Sequence, residues 1–194
     1  SNGTVKVANA DIATYVGGAE TNLTPWVLEA EAPSSQAAAT GLLSLQGGVF
    51  TTAGDVVVGQ DGNGTIEVGE KGALFSRTLD LRTSAAEDGR PAHSATLRFK
   101  AGSAACGRIT LSGALKSVSG AMLEFDLTDW DRHSRLKFLK CNGLEGSPVD
   151  WGNIVIIGVE KSDFCSAGGS RYVFRQNARG ISIGKKTGGM VLVR

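Results

Sequence analysis

The chain has 194 residues, 41% of them apolar and 20% charged, with a formal net charge of +1. That length suits one domain or one elongated repeat array, and the apolar share is enough to form a core. A charge so close to zero creates no long-range field toward nucleic acid or an anionic membrane, and no basic stripe interleaved with aromatics is present. Nucleic acid is therefore not an expected partner, and no apolar run is long enough to span a bilayer as a helix.

Glycine is abundant at 27 residues while proline numbers only 4. This combination fits many tight turns between short strands, and it lacks the three-residue period of collagen. The first 40 residues are expected to form an N-terminal cap or irregular segment, because Asp11–Val16 and Ala30–Gly41 lack strand character and Pro33 would interrupt a helix. Within it, the stretch Asn22–Thr40 carries Trp26 and Val27 among small polar residues. It is expected to fold over the first rung near Leu43 and Leu45, with Trp26 partly buried.

From Gly41 to Arg194 the rhythm changes, and this part is expected to be a β-helix repeat domain. Short apolar runs recur between Gly, Asn, Asp and Ser: Leu42–Leu45, Val49–Phe50, Asp55–Val58, Thr65–Val68, Ala73–Phe75, Thr78–Leu81, Ala95–Phe99, Arg108–Leu111, Met122–Leu127, Leu136–Leu139, Asn153–Ile157, Tyr172–Phe174, Ile181–Ile183 and Met190–Val193. Their spacing leaves no room for helical crossovers, so a doubly wound α/β fold is excluded. Period-2 alternation sets the expected faces. Leu45, Ile66, Leu97, Leu123, Phe125, Ile154, Ile156 and Ile181 should point inward, and Glu67, Arg98 and Glu124 outward.

Gly48–Gly59 is echoed by Gly64–Phe75, each unit giving two short apolar stretches around a Gly-containing corner. Such a unit cannot bury its inward face alone, but stacking on a like neighbour pairs the backbone and covers the apolar residues. The expectation is an all-β, right-handed parallel β-helix. An antiparallel β-sandwich is the alternative, because the turn Gly59–Gly64 fits a hairpin as well as a solenoid corner.

The segment Val57–Val68, with Gly59, Gly62 and Gly64 at its turn, resembles the Gly-rich repeat of autotransporter passenger domains and related bacterial surface proteins. The stretch Ala95–Arg194 is similar to the C-terminal part of such passengers: Leu97–Phe99 and Leu123–Leu127 look like successive rungs, and Asn153–Ile157, Tyr172–Phe174 and Gly189–Val193 like closing strands. The resemblance implies a right-handed parallel β-helix, export, and display outside a bacterial cell. It also implies that any membrane association runs through an anchor or barrel outside this chain. One departure is the presence of three cysteines, which passengers usually avoid.

Those cysteines, Cys106, Cys141 and Cys165, form no CxxC pair, so a structural zinc site is not expected. They read as buried small side chains, with a Cys141–Cys165 bridge as the alternative. The motifs of serine hydrolases, zinc proteases, P-loop enzymes and EF-hands are absent. Asp61–Gly64 resembles half a calcium loop but lacks the later acidic ligands. No cofactor, metal or catalytic residue is assigned.

Two features remain as candidate sites. The segment Asp126–Arg135 gathers Asp126, Asp129, Asp131, Arg132, His133 and Arg135. A polysaccharide lyase or glycoside hydrolase on a β-helix would use such carboxylates and a base, whereas a self-neutralising solvated corner is the plainer reading. Trp130 and Trp151 each stand beside an aspartate and could stack on sugar rings; anchoring a loop to the core is the competing role. The candidate ligand-binding set is thus Trp130, Trp151, Asp129, Asp131 and His133, with host or environmental glycans or surface proteins as partners. The expected function is a non-enzymatic, secreted or cell-surface structural or adhesion module. A carbohydrate-active β-helix enzyme and a carbohydrate-binding sandwich are the rival readings.

Overall fold

A computed structural model describes residues 26–28 (backbone only), 40–60, 62–86, 92–117 and 119–186. The fold is all-β. In chain order the strands are β1 (Trp26–Leu28), β2 (Thr40–Thr51), β3 (Val56–Val58), β4 (Asn63–Ser76), β5 (Leu79–Leu81), β6 (Ala95–Lys100) and β7 (Arg108–Leu111). They continue as β8 (Ala114–Ser117), β9 (Met122–Asp126), β10 (Leu136–Lys140), β11 (Gly143–Gly146), β12 (Ile154–Ile157), β13 (Tyr172–Asn177) and β14 (Gly180–Lys185).

The smaller sheet runs β1-β3-β5-β8-β11, with every pair parallel. The larger one is curled and mixed. Its long strands β2 and β4 lie parallel along their whole length, with a register shift between Leu45 and Gly47. The first half of β4 then pairs with β6, which leads to β9 and β12, while the second half pairs with β7, which leads to β10. All of these pairs are parallel, unlike the pairing an antiparallel sandwich requires.

The expectation of parallel pairing throughout is corrected at the far end. There β14 lies antiparallel on β10, and β13 antiparallel on β14. The cause is local. Only Ala178 and Arg179 separate β13 from β14, and a two-residue loop can join only antiparallel neighbours. Asn177 braces that turn by accepting the Arg179 N–H at its side-chain oxygen, 2.8 Å away.

The internal repeat is also phased differently from its reading in the sequence. Gly48 lies beside Gly72, and Gly64 beside Gly41. The two units therefore meet out of phase: the start of the Gly48 unit lies beside the end of the Gly64 unit. The same two-strand, one-corner pattern occurs at different sides of the path, and local similarity does not carry that phase. The corner itself behaves as expected: Gly59 holds φ +78, and a side chain there would run into the backbone of Arg82 and Ser94. Asp61, of the half calcium loop, lies outside the described residues.

Alternation decides what is buried. Ile66, Leu97, Leu123, Phe125, Ile154 and Ile181 are all buried, and Leu97 and Phe99 lie directly beside Leu123 and Phe125. Leu45 and Ile156 are only half-buried. Both sit on strands with a neighbour on one side alone among the described residues, β2 and β12, so one flank lacks a covering strand. Arg98 is exposed as expected, but Glu67 and Glu124 are half-covered. Each is an interior rung of an outer-face ladder: Glu67 lies between Ser44 and Arg98, and Glu124 between Arg98 and Val155. The Arg98 guanidinium meets the Glu124 carboxylate at 3.2 Å, an opposite-charge cross-strand pair.

The interior is packed by aromatic rings. Phe99 and Phe125 stack with centroids 5.5 Å apart, and Phe138 and Phe174 close on Phe125 at 4.8 and 5.8 Å. From there a row of rings runs to the end of the stack, through Trp151, Phe164, Tyr172 and Trp130. This end therefore carries its own apolar closure, supplied by the β13–β14 hairpin and short 3-10 turns at Trp151–Asn153, Lys161–Asp163 and Cys165–Ala167. The expected last strand, Gly189–Val193, lies outside the described residues. So does the expected cap over 22–40, apart from Thr40 and the backbone of β1, which adds to the smaller sheet beside Val56–Val58.

The cysteines are free; Cys141 is buried, Cys106 and Cys165 are half-buried, and burial pushes the Cys106 thiol up to about 11.

One surface pair ties two turns of the chain together. Asp55 accepts two hydrogen bonds from Arg77, at 2.8 and 2.6 Å, and one from the Thr78 hydroxyl at 2.7 Å. The Arg77 hydrogen bond is the main cause that holds its carboxyl at about 2, below the ordinary 3.8. The native state binds the proton less readily than the unfolded chain. The pair therefore stabilises fully above about pH 4 and loses its contribution as pH falls toward 2. Asp55→Asn should cost ~1 kcal/mol at pH 7, with most of that difference gone by pH 2, measured by urea unfolding across pH. A variant equally destabilised at both pH values would exclude the ion pair as the cause.

Candidate functional site

The polar segment singled out in the sequence divides once folded. Asp131, Arg132 and His133 form a tight turn on the rim of an open groove of about 450 Å³. Across from them stand Arg171 and Tyr172, where β13 begins, and Lys185 and Lys186, where β14 ends. The hairpin pairing brings these together: Tyr172 is the cross-strand partner of Lys185, and the Lys186 N–H donates to the Arg171 carbonyl at 2.8 Å.

Asp131 builds the turn. One carboxylate oxygen accepts the backbone N–H groups of His133 and Ser134, both at 2.8 Å, and the other accepts the Ser134 hydroxyl at 2.6 Å. These hydrogen bonds, the Ser134 hydroxyl foremost, hold its carboxyl below the usual range. Arg132, between them, has φ +63, and it is the only non-glycine residue with positive φ among the described residues. A left-handed arginine is an unfavourable backbone state that persists only where its surroundings enforce it. Here the Asp131 hydrogen bonds supply that enforcement.

The remaining members of the candidate set lie elsewhere. Asp129 faces solvent and pairs with Lys100 at 3.8 Å, while Asp126 accepts the Thr128 N–H at 3.0 Å; neither lines the groove. The tryptophan platform is corrected by the packing. Trp130 is 4% exposed, packs tilted against Tyr172, and donates its indole N–H to the Ser134 carbonyl at 2.9 Å. Trp151 is half-buried against Phe164 and Phe174, with the Lys161 ammonium 5.0 Å above its ring. The Trp130 ring offers no open face to a sugar. Both are flanked by polar turns in the sequence, yet each indole has enough apolar area to be drawn into the end of the core.

Electrostatically the groove is basic. Arg132, Arg171, Lys185 and Lys186 surround it with His133, against the single carboxylate Asp131. Arg171 has a partner in Asp163 at 3.3 Å; Arg132, Lys185 and Lys186 have no acidic partner among the described residues. The arrangement suits an anion. It does not offer the paired, free carboxylates that glycoside hydrolysis needs, because the oxygens of Asp131 are already engaged in its own turn. No group of three or more His, Cys, Asp or Glu among the described residues stands close enough to hold a metal ion.

Arg171, Lys185 and Lys186 are not among the site residues expected from the sequence. Tyr172 and Lys185 meet only through the β13–β14 pairing. Comparisons of the chain with protein families, curated proteins and solved structures return no match.

Proposed function

We propose that this chain is a right-handed parallel β-helix module of the autotransporter-passenger type, exported to the bacterial surface or beyond. There it serves as a non-enzymatic structural or adhesive element. The observation that carries this reading is the aligned parallel register. Thr40 sits beside Asn63, Gly64 beside Ala95, Thr96 beside Met122 and Leu123 beside Ile154. Chain segments of 23, 31, 26 and 31 residues thus each return to the same ladder one strand further on. Repetition of this kind makes a rigid, elongated scaffold whose outer faces are laid out for contact.

Location and chemistry are tested together. Proteinase added to intact cells of the native host should remove the protein, and antibody should label unbroken cells. Purified protein incubated with acidic or neutral polysaccharides should release neither reducing ends nor the ultraviolet absorbance of an unsaturated uronide. Protection until lysis would overturn the surface reading. Cleavage abolished by Asp131→Asn would replace the adhesive reading with the enzymatic one.

A further inference from the structure

We propose that the groove between the Asp131–His133 turn and the ends of β13 and β14 is a binding site for an acidic polysaccharide, one whose sugars carry carboxylate or sulfate groups. Four basic side chains converge on one open groove of about 450 Å³ although the chain as a whole carries a net charge of only +1. Three of the four have no acidic partner among the described residues, so their mutual repulsion is not relieved within this part of the protein. An anionic ligand relieves it. Elsewhere on the surface, Arg98, Lys100 and Lys116 each face a carboxylate from another segment of the chain.

The groove also fixes part of its lining. The Asp131 hydrogen bonds lock the Arg132 backbone in its left-handed conformation, and Asp163 contacts the Arg171 guanidinium at 3.3 Å. Guanidinium groups suit planar carboxylates and sulfates, which they bind through paired N–H donors. Lys185 and Lys186 add point charges along the same rim.

Among polyanions, the aromatic placement favours a sugar chain over a single-stranded nucleic acid. Binding of single strands relies on exposed aromatic faces for base stacking. Of the two rings lining the groove, Tyr172 is 7% exposed and packed between Trp130 and Phe164, which leaves only the small His133 imidazole exposed. The proposal rests on the surface reading only for where the ligand would be met; the site itself can be tested in the purified chain.

The test is calorimetric titration with tetragalacturonate, a heparin-derived tetrasaccharide, uncharged cellotetraose and octathymidylate. At least one acidic tetrasaccharide should bind, with affinity falling as salt rises. Cellotetraose should not bind, and binding of tetragalacturonate as tight as that of the heparin tetrasaccharide would show that carboxylates suffice without sulfate. Arg132→Gln and Arg171→Gln should each weaken binding about tenfold, the loss of roughly one charged contact. The double variant should lose about a hundredfold while keeping the wild-type melting curve. Arg98→Gln, on the ladder face, should bind as wild type. Four results would each overturn the site: no binding of either acidic sugar, equal binding of cellotetraose, equal weakening by Arg98→Gln, or tighter binding of octathymidylate than of both sugars. Binding by the purified chain together with protection of the protein in intact cells would reject the surface reading alone.

Discussion

Phe125→Ala is expected to destabilise the protein by about 3–5 kcal/mol. The ring is fully buried and touches three others, stacked on Phe99 and met by Phe138 and Phe174. It sits inside a parallel ladder, directly between Phe99 of β6 and Ile156 of β12. Removing it leaves a cavity whose walls belong to adjacent strands of one hydrogen-bonded sheet. Those walls cannot collapse inward without breaking register, so relaxation recovers little of the loss. For a domain of this size the melting temperature should fall by roughly 10 °C. Val155→Ala is the matched control: it lies on the neighbouring strand β12 but is 39% exposed, and it should change stability by about 0.5 kcal/mol or less. Equal losses for the two variants in chemical denaturation would mean that the aromatic stack is not what holds these turns together.

A single methyl group added at Gly107 should be nearly as damaging. Gly107 stands at the corner between β6 and β7, where its N–H donates to the Lys100 carbonyl at 3.0 Å. A Cβ built there would lie 2.3 Å from the Val68 carbonyl oxygen and 2.5 Å from that of Gly69, both on the preceding turn of the chain. These neighbours are backbone atoms inside β4, the strand that pairs with both β6 and β7. No side chain can rotate away to make room, so accommodating the methyl requires prising two hydrogen-bonded ladders apart. Gly107→Ala should cost ~3 kcal/mol or more, measured by thermal or urea unfolding. Gly152→Ala, at a position where nothing lies within 4 Å of the added carbon, should stay within about 0.5 kcal/mol of wild type. A harmless Gly107→Ala would show that the corner backbones do not stack as closely as the structure places them.

What the sequence determines by itself is what local geometry dictates. Side chains alternate across a strand, so the run Met122–Leu127 already specifies that Leu123, Phe125 and Leu127 share one face and Glu124 and Asp126 the other, and the burial follows that division. Glycines between short apolar runs mark the corners for a similarly local reason: Gly59 adopts a backbone state that other residues avoid. The all-β class follows from these two signals. Strand direction and phase do not, because both depend on which distant segment supplies the hydrogen bonds. Alternation is the same for parallel and antiparallel partners, so the antiparallel addition of β14 to β10 and the pairing of Gly48 with Gly72 emerge only when the chain is folded. Trp130 illustrates the same limit. Its aspartate neighbours suggest exposure, but Tyr172, far along the chain, covers its ring. The groove depends on tertiary structure for the same reason. Asp131–His133 is visible as a charged turn, but its character is set by Arg171, Lys185 and Lys186, which a β-hairpin carries to it from across the sequence.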